Sequence, residues 1–180
     1  MKRINLFIAI YALILVSCYR GHGLSPTAQG SDVSGIRGRI TFTGTWPDST
    51  KEVRVAVLKR YPKGMTDPDS ILTFVITNLA AFSDTIPRNI DQYDYQLSLE
   101  PDLYAWVLVV WFPDIPLYLL GVRELGAYYK DQTQTEFPTP VTVIPGVMTE
   151  EIDIIADFDN LNRETPFFKT KGGHEQKNHH

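Results

Sequence analysis

Histidine, serine, cysteine and the carboxylates are the side chains that could do chemistry here, and their positions matter more than their number. The four histidines are His22, His174, His179 and His180, all outside the patterned stretch 35–159. General-base catalysis and tight metal binding both need an imidazole held by a scaffold, so neither is expected of these four. Serines occur without a Gly-x-Ser-x-Gly elbow and without a histidine nearby in the patterned stretch, so a Ser-His-Asp arrangement cannot be assembled. No glycine-rich phosphate loop is present, and no cofactor is expected. Among the acids, Asp153, Asp157 and Asp159 fall on one side of an alternating segment and are the candidate oxygen ligands for calcium. The competing reading, a solvated outer face, leaves the metal site empty of any role. Asp67 and Asp69 flank Pro68 and read as turn chemistry. The aromatics Trp111, Tyr118, Tyr128 and Tyr129 lie near loop ends. They read either as core or as an exposed platform for a glycan or protein partner, since aromatic anchors dominate such contacts.

The cysteine directs attention to the amino terminus. Lys2 and Arg3 precede an almost wholly apolar run from Ile4 to Val16, broken only by Asn5. That run is shorter than the roughly 20 residues needed to span a bilayer, and has the size of a signal-peptide apolar region. It ends in Leu15-Val16-Ser17-Cys18, which resembles a bacterial lipobox. The resemblance implies diacylglyceryl transfer to the Cys18 thiol and cleavage just before it. Cys18 is the single cysteine of the chain, and lipidation would account for a thiol that has no disulfide partner. An ordinary secretory leader cut nearby, or an uncleaved anchor, are the other readings. The residue after Cys18 is Tyr19 and not Asp, which resembles an outer-membrane address. The expected location is therefore the cell envelope, with the membrane reached through a lipid anchor.

The 180 residues allow one ordinary domain plus tails. The formal charge of −4 includes Lys2 and Arg3 of the leader, so the mature chain is more acidic still. With no basic stripe, nucleic acid is not an expected partner. Residues 1–17 read as the leader and 18–34, with Gly21, Gly23, Pro26 and Gly30, as a flexible tether. Residues 35–159 read as the domain, and 160–180 as a disordered polar tail.

Within the domain the periodicity is two. Ile36, Gly38, Ile40 and Phe42 alternate with Arg37, Arg39, Thr41 and Thr43, and Val53, Val55 and Val57 repeat the pattern. Ile71–Ile76 reads as a short apolar strand, and Asn78–Gln92 as a long connection. Tyr93, Tyr95, Leu97 and Leu99 alternate again. Tyr104–Phe112 is apolar on both faces, with Tyr104, Trp106, Leu108, Val110 and Phe112 on one side, so it predicts a central strand covered twice. Leu117–Tyr129 suits an irregular strand and loop. Val141 with Val143, then Ile152–Phe158, close the domain. No sustained helical stripe occurs. The expected fold is all-β, an antiparallel Ig-like (prealbumin-like) sandwich of seven or eight strands.

Three segments carry a family resemblance over roughly Gly35–Asp159. Ser34-Gly35-Ile36-Arg37-Gly38-Arg39-Ile40 is similar to the opening strand of carboxypeptidase-regulatory-like, or transthyretin-like, domains. Glu100-Pro101-Asp102-Leu103-Tyr104-Ala105-Trp106-Val107 looks like their mid-domain turn and strand, with Asp102 where Gly is usual. Pro140–Gly146, with Thr149 and Ile152-Asp153-Ile154, resembles their closing strands. Many relatives carry an Asp/Asn-rich calcium loop where this chain has only Asp114, Glu124 and Asp131 at wide spacing. The resemblance implies an adhesive, spacer or binding module with no catalytic role, working with an envelope protein or a glycan.

Overall fold

The computed structural model describes residues 33–65, 67–133 and 136–162. The leader, Cys18, most of the tether and the tail from 163 lie outside them. Ten strands occur among the described residues: β1 (Gly35–Thr43), β2 (Thr50–Leu58), β3 (Leu79–Phe82), β4 (Gln92–Ser98), β5 (Asp102–Tyr104), β6 (Trp106–Pro113), β7 (Arg123–Ala127), β8 (Val141–Val143), β9 (Met148–Thr149) and β10 (Ile154–Asp157). One α-helix, α1 (Pro68–Asn78), and two 3₁₀ turns, Tyr118–Gly121 and Phe158–Asn162, complete the list. The domain is all-β and sandwich-like, with more and shorter strands than the seven or eight expected. No helix among the described residues is long and apolar enough to cross a membrane.

One sheet has the order β10-β1-β4, with β9 also on β1. The second has the order β3-β2-β6-β7, and β5 pairs with β8 as a separate ribbon. The pairs β1–β4, β2–β6 and β6–β7 are antiparallel, whereas β1 runs parallel to both β9 and β10 (Ile40 beside Ile154). The expected wholly antiparallel sandwich is corrected at this point. Alternation of apolar residues fixes which face is buried but is silent on strand direction, which a long return connection decides.

The inward residues are those the alternation marks. Ile36, Ile40 and Phe42 meet Val53, Val55, Val57, Val107, Val109 and Trp111 across the sandwich. At one flank the sheets touch. A Cβ on Gly126 of β7 would lie 2.0 Å from the Ile155 carbonyl oxygen of β10, so only glycine permits this seam.

All eight residues of β6 are buried. Its second face packs in an outer layer of Trp106, Leu108, Val110 and Phe112 with Ala56, Leu58, Ile71 and Tyr129. The cover includes α1, where a strand was expected over Ile71–Ile76. The β-branched run favours extended backbone. Yet Asp67 accepts a hydrogen bond from the Ser70 amide at 2.8 Å as N-cap, Pro68 opens the first turn, and Ile71 with Val75 supplies the i, i+4 pair facing the sheet. Capping plus the need to cover β6 outweighs propensity. Leu79–Phe82, expected within a connection, is an edge strand on β2. Tyr104 also changes sides: the chain breaks between β5 and β6 at Ala105, so Tyr104 joins the inner layer while Trp106 joins the outer one. Asn160–Asn162, expected in the tail, belong to the second 3₁₀ turn, where Leu161 packs on the inner core and the Asn160 amide donates to the Leu125 carbonyl.

Candidate functional site

Two clefts adjoin the chain segment between β9 and β10. The segment crosses β1 at Gly38, where an added Cβ would sit 2.2 Å from the Ile152 carbonyl oxygen. That carbonyl accepts the buried Tyr95 hydroxyl at 2.7 Å, and the Ile152 amide donates to the Arg37 carbonyl at 3.1 Å. Glu151 turns the corner with φ +62°, uncommon for a residue with a side chain. The crossing raises Glu150, Glu151 and Asp153 as a ridge with a cleft on each side.

The first cleft, of about 550 Å³, is lined by Arg37, Arg39, Asp94, Gln96 and the ridge acids. Arg37 and Arg39 are two apart on β1 and so share its outer face. Register sets Arg39 opposite Asp94, and the guanidinium donates twice to that carboxylate, at 2.7 and 3.2 Å. This hydrogen bonding and charge raise the Arg39 pKa and hold the Asp94 carboxyl below its usual value. Arg37 donates to Glu150, and the Arg39 amide to Asp153 at 2.7 Å. Both ion pairs are exposed, so they add little to stability and can exchange for a ligand's charges. The second cleft, of about 800 Å³, shares the ridge and continues over Tyr128, Tyr129, Gln132, Thr139 and Thr142. Burial, then the charges of Asp153 and Glu151, push the Tyr128 phenol up, so it stays a neutral donor.

The four aromatics, read from the sequence either as core or as an exposed platform, are dispersed. Trp111 is buried between the sheets and its indole Nε1 donates to Thr50 Oγ1 at 2.9 Å, so of its two readings the core one holds and the exposed contact does not. Tyr118 is half-buried in the outer layer beside Phe112, with Lys51 Nζ 3.7 Å from its ring centroid. Tyr128 and Tyr129 share a cleft, and Tyr129 is buried in the outer layer while Tyr128 packs on the inner core. The three aspartates separate as well. Asp153 faces the first cleft, whereas Asp157, the last residue of β10, accepts from the Asp159 amide at 3.1 Å. Among the described residues no three His, Cys, Asp or Glu side chains gather to hold a metal. Cys18 lies outside the described residues.

Arg37, Arg39, Asp94, Glu150 and Glu151 were not singled out from the sequence. Their outward phase was visible for β1 and β4, but the pairing register and the crossing at Gly38 were not. No protein-family model matches the chain, and neither a curated protein nor a solved structure matches it.

Proposed function

We propose that this chain is a cell-envelope lipoprotein, fastened to a membrane through lipidated Cys18, whose β domain serves as a non-enzymatic binding or assembly module. The observation that carries the proposal is the order of Lys2-Arg3, the apolar run to Val16, and Leu15-Val16-Ser17 directly before the single cysteine. Two or three acyl chains at one residue hold a protein on a bilayer essentially permanently, since each buried methylene contributes about 0.8 kcal/mol. Tyr19 after Cys18 favours the outer membrane. The surface offered to an envelope partner is the ridge Glu150–Asp153 with its two clefts, which carries both signs of charge.

The domain is further inferred to be a carboxypeptidase-regulatory-like module with a prealbumin-like arrangement. In support, the three resembling segments coincide with β1, with the turn into β5 and β6, and with β8 to β10. The parallel placement of β10 on β1 must be accommodated by that relationship.

Mass spectrometry of the protein produced in a bacterium with two membranes tests the anchor. The expected result is a chain beginning at Cys18 with a thioether-linked diacylglyceryl group, and a Cys18→Ala chain that stays uncleaved. A processed chain with a free Cys18 thiol overturns the proposal.

A second reading, a polysaccharide- or small-ligand-binding accessory lipoprotein, is favoured by the larger cleft, where Tyr128, Gln132, Thr139 and Thr142 offer the hydroxyl and amide groups that sugars use. Glycan-array binding that disappears in Tyr128→Ala supports it. Retention of one envelope protein without sugar supports the first.

A further inference from the structure

The chain leaves β6 at Pro113 and crosses to β7 through Ile115-Pro116-Leu117-Tyr118-Leu119-Leu120. Four aliphatic side chains in six positions stand open to solvent: Ile115 at 45%, Leu117 at 68%, Leu119 at 46% and Leu120 at 61%. The excursion is a folded knuckle. The Leu120 amide donates to the Leu117 carbonyl at 2.9 Å, and the turn sits on Pro113 so closely that a Cβ at Gly121 would lie 2.4 Å from the proline ring. Soluble surfaces seldom hold so many adjacent aliphatic tips without using them.

We infer that this knuckle dips into the lipid surface that holds Cys18, and the inference rests on the lipoprotein reading above. Its chemistry is layered as such contacts are: aliphatic tips outermost, then the amphipathic Tyr118 with Lys51 on its ring, and Arg123 at the start of β7. From Ile115 to Val122 the sequence has no acid, and the nearby Glu52 is paired with Arg54. The acids that oppose an anionic surface, Asp114 and Asp48, sit at the edge, where the Asp114 amide donates to the Ser49 carbonyl at 2.7 Å. The area argues against a protein occupant. An aromatic side chain buries about 150–250 Å², and four smaller, half-exposed aliphatic ones cannot supply the roughly 800 Å² per partner of a stable protein interface. A fluid acyl layer needs no such complementarity. Reach is sufficient. Thr50 pairs with Pro113, so the knuckle lies at the end where β1 stops and β2 starts, opposite Gly35. The nine residues of β1 span about 30 Å, and the 17 bonds of chain from Cys18 to Gly35 can extend about 55–60 Å.

Depth measurement tests the inference. With Cys18 acylated, Leu117→Cys provides the single labelling thiol on the full mature protein, which is reconstituted in phosphatidylethanolamine–phosphatidylglycerol vesicles. A polarity-sensitive fluorophore there is expected to shift to the blue and to lose about half its emission to doxyl-labelled acyl chains, consistent with insertion of about 5–10 Å. The same label on Ile144→Cys, an exposed residue at the Gly35 end, is expected to stay aqueous. An unquenched label at 117, quenching at 144 instead, or a blue shift that grows with protein concentration before lipid is added overturns the inference, the last by assigning the knuckle to a second copy. The intact mass of each preparation reports the anchor separately. If Cys18 proves unmodified, that thiol is replaced in Cys18→Ala and the vesicles are added to the labelled soluble protein, where quenching at 117 upholds the knuckle's lipid contact and its absence refutes it.

Discussion

The two apolar layers of the molecule are built differently. Between the sheets, alternate residues of β1, β2, β4 and β6 interdigitate, and each strand contributes by the same simple periodicity. The outer layer over β6 is a patchwork of one fully buried helix residue, Ile71, with Leu58, Tyr129 and Val122 drawn from separate turns and strands, and it is finished by half-buried Tyr61, Leu79, Tyr118 and the helix's Val75. A layer made by two extended sheets is cooperative, because each strand is held along its length. One made from short covering pieces can open piecewise.

The sharpest way to break the inner layer is at its seam. Gly126→Ala places a Cβ against the Ile155 carbonyl and must push β7 from β10; its expected cost is in the tail above about 4 kcal/mol, checked by urea denaturation or by failure to fold. Trp111→Ala empties the space between the sheets and should cost about 3–5 kcal/mol with the transition still single. Were Trp111 a ligand contact instead, stability would barely change. Ile71→Ala, in the outer layer, should cost about 2–3 kcal/mol, with hydrogen exchange showing amides 69–78 opening before those of β6. Simultaneous loss of both regions would erase the contrast between the layers. Thr50→Val strands the Trp111 indole N–H in a dry site and should cost about 1–3 kcal/mol. The mildest effect is on the helix cap. Hydrogen bonds from Ser70 hold the Asp67 carboxyl below its usual value, so its contribution is full above the unfolded value and fades as pH falls through the folded one. Helical circular dichroism should therefore drop slightly in acid before global unfolding, and Asp67→Ala should remove that step.

The same contrast explains what the sequence could reveal. Ile36, Ile40, Val53, Val55, Val57, Tyr95 and Leu97 are inward because their spacing requires it, and β6 read as doubly covered because both its faces are apolar. The cover itself was missed. Ile71-Leu72-Thr73-Phe74-Val75-Ile76 is rich in strand formers, and its helical state depends on Asp67 and on the outer face of β6 that it covers, one a cap and the other a tertiary fact. Tyr104 was placed on the wrong side because a single break at Ala105 reverses the phase of everything before it. The clefts were harder still. Arg39 and Asp94 are 55 residues apart, and their meeting depends on register. The ridge depends on Gly38 admitting a backbone crossing that only a side-chain-free position allows.

The position of β1 has a mechanical corollary. It is the inner strand of its sheet, hydrogen-bonded to β4 on one side and to β9 and β10 on the other. A force applied at Gly35 outward along that strand is borne by its ladders on both sides together, which must slide as a unit instead of peeling one bond at a time. Extraction of β1 under such a load is then governed by the unfolding rate of the whole sheet, and the domain resists that pull without any added cross-link.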